Sequence, residues 1–79
     1  MRNYIIMNKI QIKSIYKKNS KIYVKPSYGQ YEMIYRAAKG VYWDKTEKAF
    51  YMNDLIDEKD VILNIKVALK QEYGIELLE

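Results

Sequence analysis

Apolar and polar positions alternate with period two from Asn8 to Lys25, the mark of strands. Ile10, Ile12, Ser14 and Tyr16 fall on one face, and Gln11, Lys13, Ile15 and Lys17 on the other. The turn cluster Lys18-Asn19-Ser20 follows, and Lys21-Ile22-Tyr23-Val24-Lys25 then runs to Pro26. This predicts an antiparallel hairpin, with Ile and Val facing a core and lysines lining the exposed side. Between Tyr28 and Lys39 the spacing turns helical. Tyr31, Ile34, Tyr35 and Ala38 stand at i, i+3, i+4 and i+7, and Gly40 is placed to end the helix in a left-handed conformation.

Val41-Tyr42-Trp43 and Ala49-Phe50-Tyr51-Met52 flank the polar tetrad Asp44-Lys45-Thr46-Glu47, which predicts a second hairpin with a tight turn. The closing helix has the strongest signature. Asp57 is its N-cap, Glu58 and Asp60 lie in the first turn, and Val61, Ile62, Ile65, Ala68 and Leu69 form its apolar stripe. Gly74 stops it, and Ile75 folds back on the last turn. Leu77 and Leu78 either add a short strand or cover the core. The order is ββαββα, an α+β fold: an antiparallel sheet of about four strands with two helices packed on one face.

Seventy-nine residues with no Ser/Gly/Pro-rich linker make a single domain over residues 1–79. Residues 1–7 are expected as a strand extension or a loose tail. Their apolar patch is too short for a signal peptide or a membrane anchor, Met7 offers a second start codon, and a cytosolic (cytoplasmic) location is expected, with no membrane partner. The hydrophobic share of 49% excludes a disordered chain.

The net charge of +4 conceals a polarity. Residues 1–40 carry nine basic side chains and one acid; residues 41–79 carry five basic and nine acidic ones. A basic half interleaved with aromatics is the electrostatic footprint of a polyanion binder. Alternatively, the two halves neutralise each other across the fold. Nine tyrosines suit half-buried surfaces and interfaces, although AT-rich coding DNA also yields a Lys/Ile/Asn/Tyr-rich chain.

Candidate catalytic chemistry is sparse. With no Cys and no His, thiolate nucleophiles, disulfides, sulfur-ligated zinc and the usual general base are excluded. Asp54, Asp57, Glu58 and Asp60 lack the alternating spacing and central Gly of a calcium loop, so no metal is expected. Ser14, Ser20 and Ser27 have no triad setting, and Gly29, Gly40 and Gly74 are too isolated for a phosphate loop. The expectation is a protein that is not an enzyme and uses no cofactor.

The strongest local motif is Ala38-Lys39-Gly40-Val41-Tyr42-Trp43-Asp44-Lys45-Thr46-Glu47-Lys48-Ala49-Phe50-Tyr51. Gly40 supplies a positive φ, Asp44 can accept the turn amides, and Trp43 and Phe50 can share the hairpin. Here the chain resembles the HARP domain of annealing helicases and related short bacterial domains worded Gly-x-x-Trp-Asp-x-x-x-Lys-x-aromatic. The resemblance covers about residues 20–73. It implies strands, a helix, this hairpin and a closing helix, with Gly40, Trp43, Asp44, Lys48 and Phe50 as framework, Tyr23 and Lys25 in the preceding strand, and DNA binding. Two features depart from it: these residues hold no helicase motor, and Tyr51-Met52-Asn53 stands where a proline often ends the hairpin.

The first functional expectation is a nucleic-acid-binding module. Lys9, Lys13, Lys17, Lys18, Lys21, Lys25, Arg36 and Lys39 would contact phosphates, and Tyr16, Tyr23 and Tyr28 would stack on unpaired bases. The second is a virus- or mobile-element-encoded effector that binds a protein and inhibits a host nuclease or regulator, using the acidic edge of Asp44, Glu47, Asp54, Asp57, Glu58 and Asp60. A third is a homodimer through the edge of the first hairpin.

Overall fold

The structure, a computed structural model, describes residues 8–53 and 57–79. Residues 1–7, expected as an extension or tail, and Asp54 of the acidic edge lie outside the described residues. The first hairpin forms as the alternation predicts: β1 (Lys9–Lys18) pairs antiparallel with β2 (Lys21–Pro26). Asn19 and Ser20 join them with φ of 53° and 63°, so both central turn residues are left-handed, the twist that matches a hairpin.

The register corrects one expectation. Ile12 faces Pro26 while Ser14 faces Lys25, so Lys13 is an extra residue, a β-bulge. The bulge shifts the phase of the strand. Ile15 joins Ile10 and Ile12 against the core, whereas Ser14 and Tyr16 turn to the other face.

The second hairpin also forms as predicted, from β3 (Val41–Asp44) and β4 (Ala49–Met52), with Trp43 opposite Phe50. Gly40 precedes it at φ +72°, the left-handed region expected for it, although the segment it was expected to end is closed earlier, by Ala38 at φ 58°. The closing helix α1 (Glu58–Tyr73) starts after Asp57 and buries Val61, Ile62, Ile65, Ala68 and Leu69, the expected stripe. Gly74 ends it at φ +68°, donating its N–H to the carbonyls of Leu69 and Lys70. The Ile75 N–H turns back to the Leu69 carbonyl.

Two expectations about architecture need correction. The helix expected between Tyr28 and Lys39 is a short 3-10 turn, Ile34–Ala37, so the described residues form one α-helix and not two. The buried residues are Tyr31, Ile34 and Ala37, a spacing of three, which is the 3-10 period. The bonds Ile34 N–H to Tyr31 O, Arg36 N–H to Met33 O and Ala38 N–H to Tyr35 O all span three residues. Tyr35, placed on the buried face by an α-helical reading, is 54% exposed.

Among the described residues the sheet has five strands in the order β3-β4-β2-β1-β5 and is mixed, because β5 (Glu76–Leu78) lies parallel to β1. The reversal at Gly74 delivers the chain to the edge of β1, where the Glu76 N–H reaches the Asn8 carbonyl. Of the two roles open to Leu77, both are filled: it is in a strand and buried.

The core lies on one side of the sheet. Val24, Val41, Phe50 and Met52 meet α1 and the 3-10 turn there. The Tyr73 hydroxyl accepts the Met33 N–H at 3.0 Å and ties the end of α1 to that turn. Among the described residues, no helix is long and apolar enough to cross a membrane.

Candidate functional site

Opposite the core, the outer face of the sheet carries a row of four tyrosines, one on each strand except β5. Tyr16 on β1 faces Tyr23 on β2, Tyr23 faces Tyr51 on β4, and Tyr51 faces Tyr42 on β3. The rings touch in sequence: Tyr16 and Tyr23 are stacked at 5.3 Å, Tyr23 and Tyr51 lie at 5.5 Å, and Tyr42 and Tyr51 at 5.7 Å. Tyr16 and Tyr23 were expected to stack on bases. Tyr23 is only 4% exposed and its ring lies between Tyr16 and Tyr51, so both of its faces are taken.

The turn of the second hairpin is bonded to this row. Asp44 Oδ1 accepts the N–H groups of Thr46 and Glu47, each at 2.9 Å, as its expected role in the turn requires. Tyr16 donates its hydroxyl to Glu47 Oε1 at 2.6 Å, and Lys18 pairs with Glu47 Oε2. The Tyr23 hydroxyl lies 3.4 Å from Asp44 Oδ2. These contacts shift the groups involved. Burial, then the bond to Glu47, pushes Tyr16 up to about 12. Burial, then Asp44, raises Tyr23. The hydrogen bond from Lys18, followed by that from Tyr16, holds Glu47 below the usual carboxylate range.

The basic residues do not make one patch. Lys18 is spent on Glu47, and Lys21 sits over the Tyr51 ring at 4.9 Å. Arg36 is on the helix side, with Nε 3.4 Å from Glu72 Oε2. Lys9 stands in register with Glu76, Lys17 lines a depression with Asp57 and Glu58, and Lys39 is exposed beyond the 3-10 turn. Among the described residues, two of three ion pairs, Lys18–Glu47 and Arg36–Glu72, join the basic half of the chain to the acidic half. Partial neutralisation across the fold therefore does occur. It also divides the expected acidic edge, since Asp44 and Glu47 are engaged with the tyrosine row.

What the fold does bring together is Lys13, Lys25 and Tyr28. With Lys48 they line an open groove of about 390 Å³ at the far end of the first hairpin from its turn. The bulge re-aims Lys13, β2 supplies Lys25, and the loop after Pro26 supplies Tyr28, which is 77% exposed. That loop is pinned by the Ser27 hydroxyl, which accepts the Gln11 N–H, and by the Tyr31 hydroxyl, which donates to the Tyr28 carbonyl at 2.7 Å. No carboxylate lines the groove, and none of its three lysines has an ion-pair partner among the described residues.

Sequence reasoning placed Lys48 in the framework and did not place its side chain beside Lys13 and Lys25. Its φ of +56° is the unusual feature: as the last residue of the turn it takes the left-handed conformation that returns the chain into β4. The tyrosine row was missed too. Its signal is a tyrosine next to an apolar residue on each of the four antiparallel strands, as in Ile15-Tyr16, Ile22-Tyr23-Val24, Val41-Tyr42-Trp43 and Phe50-Tyr51-Met52.

No family model matches the chain, and no curated protein or solved structure is significantly similar to it.

Proposed function

We propose that this chain is a small, non-enzymatic, cytoplasmic module that binds nucleic acid, with the Lys13–Lys25–Lys48 groove and Tyr28 as the contact surface. One observation carries the reading: three lysines with no ion-pair partner among the described residues line a single groove beside a highly exposed aromatic ring, with no carboxylate in its described lining. Lysines in that setting attract phosphates and release their counterions, and an exposed tyrosine face suits an unpaired base. The DNA binding implied by the HARP resemblance points the same way. The tyrosine row stiffens the sheet that presents the groove. Fluorescence anisotropy with labelled single- and double-stranded oligonucleotides at low salt tests the reading, and absence of binding there sinks it.

A second reading, a virus- or mobile-element-encoded effector that binds a host protein, draws on the edge strand β3. It has no strand partner on its outer side among the described residues, and it presents Tyr42 at 40% exposure. Recovery of one stoichiometric host protein, with no nucleic-acid affinity, would favour it. As for a homodimer, β1 is an interior strand where β5 pairs with Lys9–Gln11, and among the described residues only its stretch from Ile12 to Lys18 has no strand on that side.

A further inference from the structure

The charge of the groove exceeds what one internal phosphate of a nucleic-acid strand can match. A phosphodiester carries a single negative charge, whereas a phosphate monoester carries roughly 1.5 to 2 at neutral pH and three acceptor oxygens. Lys13, Lys25 and Lys48 offer three positive charges around one cavity of about 390 Å³. Polar donors join them. The Ser27 oxygen already accepts the Gln11 N–H at 3.1 Å, so its own proton remains to be donated, and the Gln30 amide lies in the same lining. The apolar component is the Tyr28 ring, large enough for one base and flanked in the lining by no second aromatic ring. One stacking face beside a cluster of phosphate donors is a receptor for a single nucleotide unit with a highly charged phosphate, and not a track along a strand.

We infer that the groove recognises a nucleotide carrying a terminal phosphate, with the phosphate on Lys13, Lys25 and Lys48 and the base on Tyr28. This rests on the nucleic-acid reading above and narrows it to a chemical class. Two sources share that chemistry, the 5′-phosphorylated end of a strand and a free nucleoside di- or triphosphate. The phosphate must lie next to its own base, because the lysines and Tyr28 share one small groove.

The experiment compares one single-stranded oligonucleotide, labelled at its 3′ end, with a 5′-phosphate and with a 5′-hydroxyl, at low salt. The expected result is about tenfold tighter binding of the phosphorylated strand, the size of one added charge-assisted contact. ATP and inorganic triphosphate are then used as competitors. Displacement by ATP at concentrations close to the strand's own makes the free nucleotide the ligand, and displacement only by phosphorylated strand makes it the strand end; either supports the inference. Inorganic triphosphate competing as well as ATP overturns the role of Tyr28. K48G should abolish the preference while the protein stays folded, because position 48 already has a glycine-compatible φ of +56°. Equal affinity for the two strands overturns the terminal-phosphate inference and leaves the nucleic-acid reading standing. No binding of either strand overturns the reading itself.

Discussion

The salt dependence of binding is the sharpest consequence of the groove. For single strands, log K falls against log salt with a slope of about −0.7 for each phosphate neutralised. Three lysines, Lys13, Lys25 and Lys48, face the groove without carboxylate partners among the described residues. If together they neutralise the roughly two charges of a terminal phosphate and the one of the adjoining phosphodiester, the slope is about −2, and affinity drops roughly 40-fold between about 50 and 300 mM salt. Replacing one of them with Gln should bring the slope to about −1.4 and the loss to roughly 12-fold over the same range. The triple variant K13Q/K25Q/K48Q should be nearly flat. Lys18 makes a useful control: it is bonded to Glu47, so K18Q should leave the slope close to that of the parent. Anisotropy titrations at five or so salt concentrations (about 50 to 300 mM) measure all of this. Stability is not confounded, since the three groove lysines hold no ion pair that the substitutions would break. A triple variant whose slope equals the parent's would refute the assignment of these lysines, and a flat parent would refute phosphate binding altogether.

Other consequences concern the fold. Phe50 has no solvent exposure and packs on Tyr31 at 5.4 Å and Trp43 at 5.1 Å, so F50A should cost about 3–5 kcal/mol in urea unfolding. A loss under about 1 kcal/mol would contradict its place at the centre of the core. At Gly74 a Cβ would meet nothing within 4 Å, so G74A should cost only the left-handed backbone penalty of about 1–2 kcal/mol, with Asn costing less than Ala. The pH dependence follows from Tyr16. Its folded value of about 12 lies above the ordinary 10, so its contribution is complete below pH 10 and is lost as pH rises from 10 to 12. Y16F should therefore flatten the fall in stability across that window, as measured by unfolding at closely spaced alkaline pH. Glu47 works in the opposite sense. Its carboxyl is held below the usual range, so its contribution is present above that range and disappears as pH falls through the lowered value. E47Q should remove that acid-side slope and loosen the turn that carries Lys48.

The amino-acid sequence was enough to determine whatever depends on neighbours a few residues apart. Period-two alternation located the first hairpin, apolar runs around a polar tetrad located the second, Asp57 and Gly74 bounded the closing helix, and its buried stripe matched residue for residue, because turn chemistry, helix-end signals and periodicity act within one or two turns of chain. Asp44 is likewise legible, since its bonds to Thr46 and Glu47 are local. The segment from Tyr31 to Ala38 failed for a physical reason: over eight residues, spacings of three and of 3.6 pick nearly the same apolar positions, and packing on α1 and β3 selects the tighter turn. Three-residue β5 was too short to display any period, and the bulge at Lys13 exists only in the pairing of β1 with β2.

Only the tertiary structure decided where the charge works. Along the chain the basic half looks continuous. Folding spreads it over both faces of the sheet, pairs Lys18 and Arg36 with acids more than 25 residues away, and buries Tyr23 inside a row of rings. What remains gathered, without an ion-pair partner among the described residues, is Lys13, Lys25 and Lys48 beside Tyr28, contributed by a bulge, a strand, a turn and a loop. Side chains so far apart in sequence meet because strand pairing stacks their segments side by side, and no local pattern records that contact.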